Sequence, residues 1–418
     1  MMHRPDREAS ETIQVSAEPP EILLDLSRLL SRILHSTPTG VDRVELAYAE
    51  ELVRLVPGRL SFCAVHPTGR YGRIPGPVAH RFLAEVRAAW SGEATPQSRT
   101  GRRLRALKTL WTMRPRPLPP AGRAGRVLIQ SSPHHLHEEA LIRDILRREK
   151  ARWICLIHDL IPIEYPEYAR PGGDALHLRR IRSVARLAAG AIANSRATLE
   201  SFAPYVAAEQ RTIPLHVAHL GLDDDKTARP APSPAEAPAY FVCLGTIEAR
   251  KNHLLLLNIW RQLAERKPDS GIPRLVIIGR RGWENEQVID MLERCPALKG
   301  YVEERSGLPD GEVRALLAGA RAVLMPSFAE GFGMPVAEAI ALGTPVLCSD
   351  LPALREAGGN IPEYLDPLDG IGWYNTIIEY SNPVSPRRTA QITRMAGWKA
   401  PTWEEHVRIV LKTIEEIA

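Results

Sequence analysis

Along the chain, short runs of aliphatic and β-branched residues alternate with longer segments in which apolar residues return every three or four positions. The first pattern predicts buried strands, the second helices with one apolar face. In the first half the strand runs are EILLDLS (21–27), LSFCAVH (60–66), RVLIQSS (126–132), WICLIHD (153–159) and GAIANS (190–195). In the second half they are YFVCLGT (240–246), RLVIIGR (274–280), AVLMPS (322–327) and PVLCSD (345–350), separated by the helical segments KNHLLLLNIWRQLAER, EVRALLAGA and PVAEAIALG. Ser195 stands where an N-cap for RATLESFAPYV belongs, and Asp310 where one for EVRALLAGA does. Strands apolar on both faces that alternate with helices make parallel sheets covered on both sides, so the fold class is α/β, with two doubly wound, Rossmann-like domains. Ligands of such sheets sit beyond the carboxyl ends of the strands, which directs attention to a cleft between the halves.

The pattern breaks at DDDKTARPAPSPAEAPAY, residues 223–240, where proline, alanine and charge replace any apolar period; this is an inter-domain linker. The organisation is then a disordered tail (1–20), a first domain (21–222), the linker, a second domain (241–395) and a C-terminal helix (396–418) that returns to the first domain. A length of 418 residues fits two such domains, and 44% hydrophobic with 25% charged residues fits folded globules. The opening is charged and proline-bearing rather than a signal peptide, and no apolar run reaches membrane-spanning length, so a cytoplasmic protein is expected. Five scattered cysteines, Cys63, Cys155, Cys243, Cys295 and Cys348, form no CxxC pair and predict reduced, buried thiols.

The net charge of +5 is unevenly placed, because no acidic residue occurs between Glu93 and Glu138. In this basic insertion (94–126), Arg102, Arg103, Arg105 and Lys108 interleave with Leu104, Leu107, Leu110 and Trp111. The pattern suits an amphipathic helix on an anionic membrane, spanning Arg99 to Arg126; a solvated loop insertion would read similarly. No nucleic-acid-binding module accompanies the charge, so no nucleic-acid partner is expected.

The candidate chemistry lies in AVLMPSFAEGFGMPVAEAIALGTPVLCSD, residues 322–350, a strand, a glycine-bearing loop, a helix and a strand. Pro335 fits the first turn of the helix, and the amides around Gly331, Phe332, Gly333 and Met334 would converge on its positive end, a seat for an anion such as a diphosphate. Glu330 precedes the helix and Glu338 lies about a turn inside it, so both can face one crevice and accept hydroxyl hydrogen bonds. Arg250 and Lys251 open a helix whose dipole they oppose, which argues for an anionic partner. His158 follows a strand at its carboxyl end, where either a site histidine or a structural one can stand. Asp223 and Asp225 form a D-x-D and residues 134–137 read HHLH, but neither has the further ligands a metal site needs. No P-loop or dinucleotide fingerprint is present, which excludes kinase and dehydrogenase readings.

EGFGMPVAE (330–338) resembles the E-x7-E motif of the family 4 retaining glycosyltransferases, which have the two-domain GT-B fold. CLGTIEARKNH (243–253), HDLIPIEYPEY (158–168) and AIANSRATLE (191–200) resemble further blocks of that family in the same order, and the likeness spans roughly residues 21–418. Among its members the chain looks most like bacterial mannosyltransferase-type enzymes of lipopolysaccharide and exopolysaccharide assembly. The resemblance implies that Glu338 binds the donor ribose, Glu330 contacts the transferred sugar, Arg250 and Lys251 grip the diphosphate, and His158 lies near the sugar. Thr246 stands where many relatives place another arginine. Gly40 falls in the family's first glycine loop, as a phosphate contact or a plain turn glycine, with Asp42 and Arg43 toward the acceptor. Gly279, Arg280, Ser306 and Leu308 would border the nucleotide base. The implied activity is metal-independent hexosyl transfer with retention, from a GDP- or UDP-linked sugar (GDP-mannose foremost) to a saccharide or lipid-linked saccharide, with no cofactor. The rivals are an epimerase or hydrolase of the same fold and a catalytically silent membrane-associated scaffold.

Overall fold

The computed structural model describes residues 19–35, 38–91, 99–117, 125–222, 239–266 and 271–417. The tail to residue 18, the linker from 223 to 238 with its D-x-D, and parts of the basic insertion (94–98, 118–124) lie outside the described residues.

The first sheet is built from β1 (Glu21–Asp25), β2 (Leu60–Val65), β3 (Tyr71–Ile74), β4 (Arg126–Gln130), β5 (Ala151–Ile157), β6 (Gly190–Ala193) and β7 (Leu215–Val217). Its order is β3-β2-β1-β4-β5-β6-β7, parallel except for the β2–β3 pair. The second contains β8 (Tyr240–Leu244), β9 (Arg274–Ile278), β10 (Val302–Arg305), β11 (Val323–Met325), β12 (Val346–Ser349) and β13 (Glu363–Leu365). Its order is β10-β9-β8-β11-β12-β13, parallel throughout. Each sheet reverses its winding beside its first strand, between β1 and β4 and between β8 and β11, and at such switch points the loops part to leave a crevice.

Each of the nine strand runs read from the sequence is a strand. The four that the pattern did not reveal, β3, β7, β10 and β13, are the four sheet edges. Interior strands such as β5 and β12 are buried on both faces and read as apolar runs, whereas β7, β10 and β13 are only half-buried along their length.

Local signals set the helix ends. Ser195 Oγ accepts the Thr198 amide at 3.0 Å and starts the helix Arg196–Ala208. Thr39 and Asp42 cap each other at the start of the helix Gly40–Leu55. Asp310 is not an N-cap: Pro309 occupies that position and Asp310 is the first residue inside the helix Asp310–Gly319. Its carboxylate reaches across the cleft to Arg43, with 2.5 Å to each oxygen. Asp310 still complements the helix dipole from the first turn while it clasps the other domain.

The C-terminal helix Trp403–Ile417 packs on the first domain, against the helix Gly40–Leu55 and strands β6 and β7. His406 is buried there between the Tyr48 hydroxyl (2.5 Å) and the His219 carbonyl (3.0 Å). Leu222 donates its amide to the Pro401 carbonyl at 2.9 Å, so the chain's outward and return passages between the domains lie side by side.

Within the basic insertion, Arg99–Thr112 is a helix. Ala106, Thr109 and Met113 are buried against the domain, while Leu104, Leu107 and Trp111 are 63%, 63% and 64% exposed. Beyond the helix, Arg116 pairs by backbone with Arg73 (2.8 and 3.1 Å) and covers the β3 edge. Arg126, the insertion's last residue, does not face a membrane: it is buried at the start of β4 and bonds Glu21 and Glu149.

Candidate active site

The second domain contributes the loop after β11 and the turn after β8. Glu330 hangs from the first with its side chain 7% exposed, and the second brings two cations to it. Lys251 Nζ lies 2.5 Å from Oε1 and Arg250 Nη1 3.0 Å from Oε2, and the Ser327 hydroxyl donates to Oε1 at 2.6 Å. Arg250 also pairs with Glu248 at 2.7 Å and donates to the Ala329 carbonyl at 2.9 Å. Burial opposes the charge on Glu330, but the adjacent Lys251 and Arg250 override it and hold the carboxyl down at about 2. The cluster is therefore a preorganised pair of cations seated on carboxylates at the sheet's carboxyl edge. Glu338 stands half-buried one turn into the helix Met334–Ala341, with Pro335 in the first turn. Gly333 is that helix's N-cap at φ 99°, a conformation side chains resist, and a β-carbon there would meet Leu354 at 2.4 Å.

His158 directly follows β5 in the first domain. Its Nε2 donates to the Ser131 carbonyl at 2.7 Å, which leaves Nδ1 as the ring's acceptor. Burial pushes the imidazole below its ordinary value, so it is neutral and suited to accept a hydroxyl hydrogen bond. The His158 carbonyl takes the Asn194 side-chain amide at 2.8 Å.

At Gly331 the two domains touch. Its carbonyl accepts the Ser195 hydroxyl at 2.7 Å and the Thr198 hydroxyl at 3.2 Å, and a β-carbon on it would lie 2.2 Å from the His158 carbonyl oxygen. The loop that carries Glu330 is thereby pressed against the strand end that carries His158. Phe332 is buried in the same contact and stacks on His219 at 5.4 Å. On one flank Glu356 accepts the Arg196 and Ala197 amides at 2.6 and 3.0 Å. On the other, Trp283 Nε1 donates to the Tyr168 carbonyl at 3.1 Å and Tyr168 stacks on Phe328.

The remaining candidates fall in three places. Gly40 begins a helix whose amino end is already filled by the Thr39–Asp42 box, and Asp42 is fully buried, accepting from Arg28 Nε at 2.6 Å; the structure thus uses Asp42 as cap and counter-ion. Arg43 clasps Asp310. Thr246 follows β8 beside Gly279, which backs onto the Gly245 carbonyl so closely that a β-carbon would sit 1.8 Å from it. Arg280 and Ser306 are exposed, and Leu308 and Met334 are half-buried against the core. Sequence reasoning did not single out Glu248, Ser327, Asn194 or Glu356. Glu248 and Ser327 lie within three residues of candidates that were named, whereas Glu356 reaches its partners across more than 130 positions and leaves no local trace.

Two facing Rossmann-like domains are the GT-B arrangement, and comparison with solved structures gives the same fold. Residues 224–360 match the family described as Glycosyl transferases group 1. It is similar to O-antigen chain mannosyltransferase B of Escherichia coli, 34% identical over 165 residues, covering 40% of this chain and 42% of that protein. It is also similar to the serotype-specific mannosyltransferase WbdA of Escherichia coli, 25% identical over 305 residues, covering 68% and 36%. The chain thus spans less than half the length of these relatives. Among solved structures, Anabaena HepE in complex with UDP-glucose superposes with a TM-score of 0.60 at 15% identity, covering 95% of this chain and 98% of that one. Sucrose-phosphate synthase from Thermosynechococcus elongatus does so at 0.60 and 14%, covering 95% and 99%. At these identities the superpositions establish the fold.

Proposed function

We propose that this protein is a retaining hexosyltransferase that moves mannose from GDP-mannose onto a saccharide or lipid-linked saccharide during assembly of a cell-surface polysaccharide. The observation that carries the reading is the seat of Arg250 and Lys251 on Glu330, whose neighbour Gly331 packs against the carbonyl of His158 in the other domain. A departing nucleoside diphosphate accumulates negative charge, and cations already oriented in a partly dry site stabilise it as it forms. Glu330 keeps those cations in place between turnovers. With a sugar in the cleft, the neutral His158 ring accepts a hydroxyl proton in a hydrogen bond and fixes the sugar's orientation. The acceptor proton passes to the leaving phosphate on the same face, which preserves anomeric configuration. The mannosyltransferase names of the relatives support the choice of sugar.

Arg250 and Lys251 supply the positive charge for which other transferases use a metal, and the donor itself is the only small molecule required. Transfer is therefore expected to persist in EDTA. The setting proposed is the inner face of the cytoplasmic membrane. No helix among the described residues is long and apolar enough to cross a bilayer. The exposed Leu104, Leu107 and Trp111, flanked by Arg103, Arg105 and Lys108, support docking on anionic lipid. Beside them a groove of about 420 Å³ opens between the helices Gly76–Ser91 and Arg99–Thr112.

Titration calorimetry with GDP and UDP, followed by transfer assays with GDP-mannose, tests the proposal. GDP binding and acceptor-dependent product are expected, with Glu330→Gln lowering kcat at least a hundredfold. Product without acceptor would identify a hydrolase or epimerase, and failure to bind any nucleotide would favour a scaffold. A fully active Glu330→Gln enzyme would remove the assignment of the cluster.

A further inference from the structure

The crevice in the first domain, at the carboxyl ends of β1, β4 and β5, holds more positive charge than its surroundings neutralise. Arg28 and Arg32 follow β1 and share one carboxylate, Asp42, at 2.6 and 3.4 Å. Arg180 lies one turn beyond His177, whose Nε2 donates to the carbonyl of Asp159 beside His158 at 3.0 Å. No hydrogen bond or ion pair engages Arg180 among the described residues, and its Nε is buried without a partner. Arg32 Nε and Nη2, Ser131 Oγ and His137 Nδ1 are likewise buried without hydrogen bonds.

The fields of these groups overlap. After burial, the Arg28 charge bears on Arg180, and both arginines bear on His134, which is pushed down to about 4. Arg28 also acts on His158, and Arg32 feels Arg280 from the second domain. Among the neighbouring acids, Asp42 is consumed by its two arginines, and Asp159 accepts the Ile161 amide at 3.1 Å and lies toward Arg250. Glu138 turns to His135 at 2.5 Å. Asp25 and Glu45 are buried with their pKa values raised. A guanidinium group without a partner, as in Arg180, costs stability in a half-buried crevice, a cost proteins accept where a ligand repays it.

We propose that Arg28, Arg32 and Arg180 form a second anion subsite, which takes a phosphate group carried by the acceptor, either a sugar phosphate or the diphosphate of a lipid carrier. This rests on the reading that Arg250 and Lys251 serve the donor. The planar forks suit phosphate oxygens, and Ser131 Oγ supplies a further donor at the crevice floor. A bound phosphate lies on the same wall as His158, so the saccharide attached to it extends toward the reacting sugar.

The test uses the full chain with saturating GDP, inorganic phosphate as probe, and Arg180→Leu. Wild-type protein binds phosphate, seen as a rise in Tm with concentration, and the variant binds it at least tenfold more weakly. Because the variant loses an unpaired buried charge, its Tm without phosphate equals or exceeds the wild-type value; a structural arginine would give a lower one. A lower Tm with unchanged phosphate affinity overturns the proposal. A tenfold loss of GDP affinity in Arg180→Leu assigns the anion to the donor and overturns it equally. Wild-type protein that binds phosphate but no GDP would refute the donor reading and leave the subsite standing. In transfer assays the preference for a saccharide 1-phosphate or a lipid-diphosphate saccharide over the phosphate-free sugar falls at least tenfold in the variant, and the better of the two substrates names the source. An unchanged preference also refutes the proposal.

Discussion

Gly331 shows how much one missing β-carbon decides. The residue occupies the tightest point between the domains, and alanine there would drive a methyl group to within 2.2 Å of the His158 carbonyl. Backbone cannot yield as a flexible side chain can, so Gly331→Ala is expected to fold, to cut transfer at least tenfold, and to enlarge the radius of gyration in solution scattering. Glu45 offers a second test. Burial, with the Asp25 charge added, raises its carboxyl to about 8 in the folded chain. The folded state thus keeps a proton that the unfolded chain releases, and stability drains away as pH rises toward and through that value. Half-buried His134 and buried His253 and His406, each held near 4, act in the opposite sense at lower pH and are silent above 7. Between pH 7 and 9 the wild-type Tm should fall with pH, and Glu45→Gln should flatten the slope. A wild-type curve that rises over this interval would refute the assignment.

At the scale of elements, what the sequence revealed follows the physics of each contact. Central strands such as β5 must be apolar on both faces, so their composition alone identified them. Edge strands pair on one side and tolerate polar residues, and β10, written VEER, carries no apolar pattern. Ser195 was legible as a cap because its partner is three residues away. Asp310 was misread as a cap, and the ion pair that buries Asp42 left no local trace, because their pairs with Arg43 and Arg28 span 267 and 14 positions, distances at which sequence pattern is blind. The Glu330–Arg250–Lys251 group lay between these extremes: its parts stand out as motifs, but that the acid holds both cations emerged only from the geometry. The basic helix makes its own prediction. Burying three apolar side chains in a lipid interface is worth about 1.5–3 kcal/mol each at full burial, with about 1 kcal/mol for each nearby cation on an anionic surface. The Leu104→Ser, Leu107→Ser, Trp111→Ser variant should lose cosedimentation with phosphatidylglycerol vesicles and retain its Tm. Equal binding by the variant would exclude this helix as the dock.

For the whole molecule, the C-terminal helix is part of the first domain's core rather than an appendage. Trp403, Val407, Val410, Ile414 and Ile417 are buried from its inner face, in an apolar cluster shared with Tyr48 and Phe332. Side chains of this size contribute on the order of 10 kcal/mol together, comparable to the stability of a whole domain. A chain ending before Trp403 should therefore lose the near-ultraviolet dichroism of a packed first domain, and a truncated chain with an unchanged spectrum would contradict this account. The join between Leu222 and Pro401 has a wider consequence. With Leu222 joined to Pro401 at one margin, a hinge there would open the halves as a book opens on its spine. Travel about such a hinge is least at the binding and greatest at the fore-edge, the side farthest from the stitching.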